Sequence, residues 1–219
     1  MKKLILPAII AASFFTPVVA FYLNLQLHPP LGASFALFVL LHALMRVWET
    51  FFTSKEKNKM VLSEDWSLVF ITVVYITLIY AVIFEFYLSS KQLNLIFVIV
   101  GSSLYLASFA LRRWSMRVLG KQWAIHAIGD SRIDQRRLLK IGPYKIVRHP
   151  IYVATVIEQL GILLIANTFY SLVIFFLMTL PSYYLRMKVE EKNNKRIFGE
   201  SYQRYKKEVN MFIPTIKSG

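Results

Sequence analysis

The sequence predicts an all-α, polytopic membrane protein. Of its 219 residues, 56% are hydrophobic, and many of these are grouped in long apolar runs. About 20 apolar residues in helical conformation are needed to cross the hydrocarbon core of a bilayer. Lys and Arg are concentrated in alternate connections between the runs, which is the distribution that orients membrane proteins. These observations predict about six transmembrane helices, a C-terminal amphipathic helix and two cytoplasmic termini.

Four runs are long enough to cross a bilayer, and two shorter runs follow them. The long runs are residues 4–25, 31–52, 67–88 and 93–111. The shorter runs, 151–166 and 169–186, are predicted to form a helical hairpin that turns at Asn167-Thr168. The chain therefore divides into residues 1–111, with four N-terminal transmembrane helices, and residues 112–219, with a polar segment, the hairpin and a charged tail.

The net charge of +14 arises from 26 Lys and Arg against 12 Asp and Glu. Such a balance can indicate nucleic-acid binding, but here the charges lie in loops between apolar runs. We therefore interpret them as orienting charges that also suit an anionic lipid surface, and we expect no nucleic-acid partner. The basic residues near the run ends include Lys2, Lys3, Lys55, Lys57, Lys59, Arg112, Arg113, Arg117, Lys121, Lys188, Lys192, Lys195 and Arg196.

The N-terminal end of the chain is an apolar run, and the C-terminal end is a charged segment. Lys2-Lys3 and the apolar residues up to Ala20 could form a cleavable signal peptide, but the run continues to Leu25, which favours a retained first span. Residues 188–208 are predicted to form the amphipathic helix, with an interruption at Gly199.

Ionisable side chains at the ends of the last two spans are the candidates for chemistry. Arg186 and Glu190 have i, i+4 spacing and can pair on one helical face. The pair is either an ordinary surface ion pair or a held guanidinium fork that faces an anion. His149 precedes Pro150 at a predicted helix start, where it is either an interfacial side chain or a partner for a polar ligand.

A second group of polar residues falls within the second span. His42, Arg46 and Glu49 lie on related helix faces, where they form an internal polar stripe or extend toward the membrane edge. A non-enzymatic transporter or accessory membrane protein would account for such a stripe. The chain has no Cys, no H-E-x-x-H and no glycine-rich nucleotide motif, so we expect no disulfide, no metal site and no soluble nucleotide-binding domain.

From Leu119 to Pro214 the sequence resembles the isoprenylcysteine carboxyl methyltransferase family of integral membrane methyltransferases. The motifs that carry the resemblance are Leu119-Gly120-Lys121-Gln122-Trp123, Leu138-Leu139, Gly142-Pro143-Tyr144, Arg148-His149-Pro150-Ile151-Tyr152, Glu190-Glu191, Phe198-Gly199, Tyr202, Tyr205, Val209 and Pro214. Ala154 and Asn210-Met211 depart from the family pattern, and the second departure puts a peripheral contact in doubt.

The resemblance implies that S-adenosylmethionine binds on the cytosolic side. The residues implied to bind this cofactor are Arg136, Arg137, Leu138, Leu139, Tyr144, His149, Pro150, Ile151, Tyr152, Glu190 and Glu191. Arg186 is implied to face the carboxylate of a lipophilic, isoprenylcysteine-like substrate that enters from the bilayer. Arg186 and Glu190 are accordingly the expected catalytic pair.

The chemistry needs no general base if the acceptor is a carboxylate, because a group with a pKa of about 4 is already ionised. An amine or phenol acceptor would need a base, and Glu190 is the nearby candidate. A membrane NADPH-dependent reductase of the sterol-reductase type is the alternative enzyme, although such proteins are longer and have a Cys-containing version of the Glu-Glu tail.

Overall fold

The computed structural model describes residues 2–52, 66–89, 94–120 and 137–214, and the regular elements in this part are all helical. The helices are α1 (Lys2–Leu27), α2 (Gly32–Phe52), α3 (Trp66–Leu88), α4 (Leu95–Leu119), α5 (Pro150–Ile165), α6 (Tyr170–Ile174) and α7 (Leu180–Glu208). A 3-10 turn at Gly142–Lys145 precedes α5, and a π-helical stretch at Phe175–Thr179 joins α6 to α7. The all-α prediction is confirmed for the described residues.

Several of these helices can cross a membrane. The long apolar segments are Gly32–Glu49, Trp66–Leu88, Leu95–Leu119 and Tyr170–Glu208, and shorter apolar helices occupy Phe14–Leu27 and Pro150–Ile165. The protein is therefore an integral membrane protein. The count of six spans and the cytoplasmic position of both termini stay predictions.

Helices α4 and α5 form the most extensive helix pair, and two glycines allow their close approach. A Cβ placed on Gly101 would lie 2.7 Å from the carbonyl oxygen of Gly161, and one on Gly161 would lie 2.8 Å from the carbonyl oxygen of Gly101. Small residues at a helix crossing let backbones meet in membranes, where dispersion contacts drive association. This pair holds α5 in place, and four of the predicted site residues lie at its start: His149, Pro150, Ile151 and Tyr152.

Helix α3 packs against both α1 and α7, and a carboxylate at its far end anchors α6. Glu85 accepts hydrogen bonds from the backbone N–H groups of Phe169 at 2.6 Å, Tyr170 at 3.0 Å and Ser171 at 2.7 Å. The first N–H groups of a helix have no partner within the helix, so this carboxylate caps α6 from a neighbouring helix.

The hairpin turns where the sequence predicted, since Asn167 has a left-handed backbone conformation with φ of 54°. Its second arm differs from the prediction in two respects. The expected span and the expected tail helix form one continuous helical segment through α7, and the π-helical stretch interrupts it before Pro181. Pro181 has no N–H to donate to the carbonyl of Leu177, which disrupts the regular ladder at this point. The predicted interruption at Gly199 is present, with φ of 54°.

Candidate active site

A glycine turn docks the segment before α5 against the end of α4. Gly142 has φ of 57°, and a Cβ at this position would lie 2.9 Å from Val118 Cγ2 and 3.3 Å from Trp114 Nε1. A side chain would therefore be disfavoured both by conformation and by space. The carbonyl oxygen of Tyr144 then accepts a hydrogen bond of 2.5 Å from the hydroxyl of Tyr205, which fixes the turn to the C-terminal end of α7.

Arg186 lies on α7 with 0% of its surface exposed. Its Nε atom is 3.2 Å from Glu190 Oε1, one turn along the helix, and donates to the hydroxyl of Tyr152 at 3.1 Å. Its Nη1 atom donates to Ser67 Oγ at 2.7 Å, at the start of α3. Side chains from three helices thus meet at the guanidinium and fix its plane.

The carboxylate of Glu190 is shared by two residues from the start of α5. The hydroxyl of Tyr152 donates to Oε1, and His149 Nδ1 lies 3.5 Å from Oε2. His149 is the N-cap residue of α5 and Pro150 is its first residue, a position where the missing N–H of Pro leaves no helical bond unmade. The start of α5 therefore presents His149 and Tyr152 to the same face of α7.

A second ion pair lies beside this group. Arg148 Nε donates to Glu191 Oε1 at 2.8 Å, and Lys206 Nζ donates to Glu191 Oε2 at 2.9 Å. Arg148 Nη1 also donates to the carbonyl of Lys206 at 3.2 Å and to that of Val209. The buried Arg148 side chain thus connects the start of α5 to the C-terminal end of α7. Its positive charge is paired with the carboxylate of Glu191, so neither charge is buried alone.

The departure from the family pattern at Asn210-Met211 falls on a backbone contact. The N–H of Arg148 donates to the Asn210 carbonyl at 2.9 Å, and the N–H of His149 donates to the Met211 carbonyl at 3.2 Å. These bonds use main-chain atoms, so they do not depend on which side chains stand at the two positions.

The electrostatic environment favours a charged His149. Burial lowers the pKa of His149, but the nearby carboxylates of Glu190 and Glu191 outweigh burial and raise the pKa above its ordinary value of 6.5. The Nε2 atom lies 3.7 Å from Glu191, beyond hydrogen-bond distance, and this buried atom has no hydrogen-bond partner among the residues that the structure describes. Burial, followed by the charge of Glu190, raises the pKa of Tyr144.

The structure brings most of the predicted site residues together. Tyr144, His149, Pro150, Tyr152, Arg186, Glu190 and Glu191 lie around the contacts described above. Ile151 is half-buried, and its carbonyl accepts a hydrogen bond of 2.9 Å from Thr155 Oγ1 within α5.

The described residues of the segment predicted to cradle the cofactor lie beside the C-terminal tail. Leu138 packs against Tyr202, Tyr205 and Val209 on the tail, Leu139 is half-buried and Arg137 is exposed. Arg136 lies outside the described residues. A role for these four residues in cofactor binding stays a prediction.

Three residues of the site carried no assigned role in the sequence. Ser67 could not be linked to Arg186, because the two are 119 positions apart. Arg148 stands in the motif before Pro150, and its pairing with Glu191 could have been suspected from the cost of burying either charge alone. Lys206 offered no signal that separated it from the other basic residues of the tail.

The polar residues of α2 belong to a separate buried network centred on Glu158 of α5. Arg46 and Arg112 both donate to the Glu158 carboxylate, and Glu49 lies 2.8 Å from Arg46 and 3.4 Å from Arg112. The network therefore balances two Arg with two Glu. The predicted stripe faces the protein interior rather than the membrane edge, and Glu158 and Arg112 are the partners that the sequence did not identify.

His42 extends this network to two tyrosines. Its Nε2 atom is hydrogen-bonded to the hydroxyl of Tyr75 at 2.6 Å, and its Nδ1 atom to the hydroxyl of Tyr105 at 3.0 Å. Both ring nitrogens are thus satisfied by hydroxyls on α3 and α4. Polar groups inside a membrane protein are costly unless they are paired. Here the ionisable residues are partners of one another, so structural pairing alone explains their presence.

A cavity of about 680 Å³ lies at the other end of α3, between Glu85, Leu88, Tyr170 and Ile174. The residues that line it begin about 20 Å along α3 from Ser67, at 1.5 Å of rise per residue. This cavity is therefore separate from the Arg186 site. Among the described residues, no three His, Asp or Glu side chains are grouped as metal ligands.

Comparisons with known proteins agree with the motifs. A family model described as phospholipid methyltransferase matches residues 96–201. The chain is similar to a protein-S-isoprenylcysteine O-methyltransferase of Schizosaccharomyces pombe, with 32% identity over 129 residues that cover 58% of this chain and 55% of the relative. It is also similar to a protein of the same name from Xenopus laevis, with 29% identity over 119 residues that cover 54% of this chain and 41% of the relative.

The aligned part thus spans about half the length of each relative. The matched family model and both relatives are named as methyltransferases, and none of the three is named as a reductase or a transporter. The motifs, the family match and the two relatives together confirm the resemblance of this chain to the isoprenylcysteine carboxyl methyltransferase family.

Proposed function

We propose that this protein is a membrane-embedded methyltransferase that moves a methyl group from S-adenosylmethionine to the carboxylate of a lipophilic, isoprenylcysteine-like substrate. The observation that carries the proposal is the buried Arg186 guanidinium, held by Tyr152, by Glu190 and by Ser67 at the start of α3. A planar donor fork that is fixed by three helices suits recognition of a carboxylate.

The residues around His149 fit the proposed cofactor. S-adenosylmethionine carries a cationic sulfur and a cationic amino group, and the carboxylates of Glu190 and Glu191 supply complementary charge beside His149. The buried Nε2 atom of His149 has no hydrogen-bond partner among the described residues, so it is available to a polar ligand atom. The half-buried phenol of Tyr144 adds an aromatic surface near Glu190.

The chain's own residues position the acceptor rather than activate it. A carboxylate is ionised near neutral pH, so its oxygen forms the new O–C bond without losing a proton. The cofactor supplies a methyl group on a cationic sulfur, and the electron pair of the broken S–C bond remains on sulfur as a neutral thioether. Arg186 orients the acceptor, and its pairing with Glu190 limits how far it withdraws charge from that acceptor. Holding two reactants in line is a large part of catalysis in such a step.

The name of the matched family model supports a second acceptor, the amine of a phospholipid. An ammonium group must lose a proton before it attacks, which requires a base. Glu190 is the carboxylate nearest to Arg186, and its bonds to Tyr152 and Arg186 hold it in the ionised form that a base needs. The existing pairing of Glu190 with Arg186 favours the carboxylate acceptor, because a base that is tied to a cation is a weak one.

The test uses the full chain in nanodiscs with S-adenosylmethionine labelled in its methyl group. The disc lipid is a mixture of phosphatidylcholine and phosphatidylethanolamine, and the added acceptor is an S-prenylated cysteine with a free carboxylate. The control acceptor is the same compound as its carboxamide. We expect label in the free-carboxylate product, in a form that mild alkali releases as methanol, and no label in the carboxamide.

Two outcomes would count against the proposal. Label that enters phosphatidylethanolamine and resists alkali would show that the methyl acceptor is the phospholipid amine and not the carboxylate. A folded protein that transfers no label to any of these acceptors, and that does not bind S-adenosylmethionine by calorimetry, would remove the methyltransferase assignment.

A further inference from the structure

On one side of α7, exposed apolar residues are followed toward the C-terminus by exposed basic residues. Tyr184 and Leu185 are 50% and 44% exposed, and they lie opposite the buried Arg186 and Met187. The next exposed positions on the same side are the basic ones, which we call the basic stripe: Lys188, Lys192, Lys195 and Arg196.

Helical periodicity places the stripe directly above the lipid-facing residues. At 3.6 residues per turn, the positions from Tyr184 to Arg196 that are exposed fall within about a third of the helix circumference. The buried residues Arg186 and Glu191 fall outside this sector. One side of α7 therefore carries Arg186 and Glu190 of the candidate site, and the other side carries exposed apolar residues followed by a row of cations.

Glu191 borders the stripe, three positions after Lys188 and four before Lys195, but its carboxylate is paired with Arg148 and Lys206. Glu190 and Glu191 point toward His149 and Arg148 on the inner face. The cations of the stripe are thus not neutralised along their own helix face. Arg196 donates to the neutral amide oxygen of Asn193 at 3.1 Å, which restrains its side chain without neutralising its charge.

Lys188, the first residue of the stripe, lies within the depth of the headgroup region as measured from Leu185, and Lys192 lies just beyond its outer limit. Each residue rises 1.5 Å along a helix, so Lys188 and Lys192 stand about 5 Å and about 10 Å beyond Leu185. The polar zone of one leaflet is about 5–8 Å thick outside the hydrocarbon core. Lys188 Nζ lies 5.1 Å from the centre of the Tyr184 ring, so its ammonium is close to the turn below it. A side chain of this kind places its charge at the level of lipid phosphates while its stem covers apolar surface.

We propose that the basic stripe binds the headgroups of anionic phospholipids in the leaflet next to the candidate site. Single Lys residues near a charged membrane surface contribute about 1 kcal/mol each, which is about fivefold in association. The bound lipids would lie against the reverse side of the helix that carries Arg186 and Glu190, so they would fix the depth of α7 in the bilayer. The proposal depends on α7 crossing the membrane and not on the reaction at the site.

The test measures lipid selectivity of the full chain in a bilayer. The wild-type protein is reconstituted in phosphatidylcholine with a small fraction of spin-labelled phosphatidylglycerol or spin-labelled phosphatidylcholine, and the fraction of motionally restricted label is measured for each. We expect the wild type to prefer phosphatidylglycerol, and the preference to fall in 1 M salt because screening shortens the range of surface charges.

The test variant is Lys188→Gln/Lys192→Gln, and the matched control is Arg204→Gln/Lys207→Gln. Both remove two exposed cations, but the control changes the helix beyond Gly199. We expect the test variant to lose about 5- to 30-fold in relative association with phosphatidylglycerol and the control to lose less than about twofold. Circular dichroism and gel filtration confirm that both variants fold.

Three results would overturn the proposal. A test variant that keeps the wild-type preference would show that the stripe does not hold the lipid. Equal losses in both variants would show a response to net charge alone. A preference that 10 mM inorganic phosphate abolishes at constant ionic strength would show a site for a free anion rather than for the bilayer.

Discussion

Tyr152 and Arg186 are joined by a hydrogen bond of 3.1 Å from the guanidinium Nε to the phenol oxygen. The two residues lie on α5 and α7, so the bond sets the position of one helix against the other. The same phenol oxygen donates its proton to Glu190, which also lies 3.2 Å from Arg186 Nε. One hydroxyl therefore links the proposed acceptor-binding residue to the carboxylate beside it.

Removal of this hydroxyl is expected to weaken cofactor binding. In Tyr152→Phe, Glu190 loses a buried donor and Arg186 loses an acceptor, at a cost of about 1–3 kcal/mol for the groups left unsatisfied. We expect calorimetry in detergent to show a dissociation constant for S-adenosylmethionine about tenfold higher than that of the wild type. Tyr170→Phe, a change at an exposed position, is the control. Equal affinity in both variants would separate Tyr152 from the cofactor site.

Replacement of Arg186 is expected to affect turnover more than cofactor binding. Arg186→Lys keeps the positive charge for Glu190 but loses the planar fork that suits a carboxylate. We expect kcat/KM for the lipophilic acceptor to fall about 100-fold or more, since orientation is lost, while S-adenosylmethionine affinity stays within about threefold. The variant Arg196→Lys, on the exposed face of the same helix, controls for the substitution itself. Unchanged turnover in Arg186→Lys would show that the fork is not needed for the reaction.

The sequence predicted the contact between Arg186 and Glu190 because their spacing is local, and their catalytic role stays a prediction. Arg186 and Glu190 are four positions apart on a helix, and helical geometry alone brings such residues together. His149 and Tyr152 were placed near them by the resemblance to a family. The contact between Arg186 and Ser67 was not predictable in the same way, because it depends on how α3 packs against α7.

The dependence on helix packing also explains why the sequence did not reveal the whole network around Glu158. Periodicity within α2 put His42, Arg46 and Glu49 on related faces, but it could not show that Arg112 and Glu158 complete the group. Interhelical partners depend on packing, and a single sequence records only the pattern within each helix. The π-helical stretch before Pro181 was also missed, although a proline within an apolar run indicates a local break.

Neutralising the centre of that network is expected to destabilise the fold. Glu158 is 1% exposed and accepts from Arg46 and Arg112, so Glu158→Gln leaves two arginines facing each other with one carboxylate, Glu49. Breaking a buried ion pair on one side costs about 3–5 kcal/mol. We expect a clear fall in the thermal unfolding midpoint in detergent, whereas Glu200→Gln, at an exposed position of α7, leaves the midpoint unchanged. A midpoint equal to the wild type would show that the network does not contribute to stability.

The ion pairs of His149 are expected to make the stability of the site depend on pH. The pKa of His149 in the folded protein is raised above 6.5, because Glu190 and Glu191 outweigh the effect of burial. The folded state therefore holds the proton more tightly than the unfolded state, and the resulting stabilisation is fully present below the unfolded pKa of about 6.5. It is lost as the pH rises through the raised pKa of the folded protein.

We expect the unfolding midpoint of the wild type to exceed that of His149→Gln most below about pH 6.5 and by progressively less at higher pH. His28→Asn, at an exposed position outside the site, should show no such trend. A difference between wild type and His149→Gln that stays constant or grows with pH would mean that His149 is neutral in the folded protein.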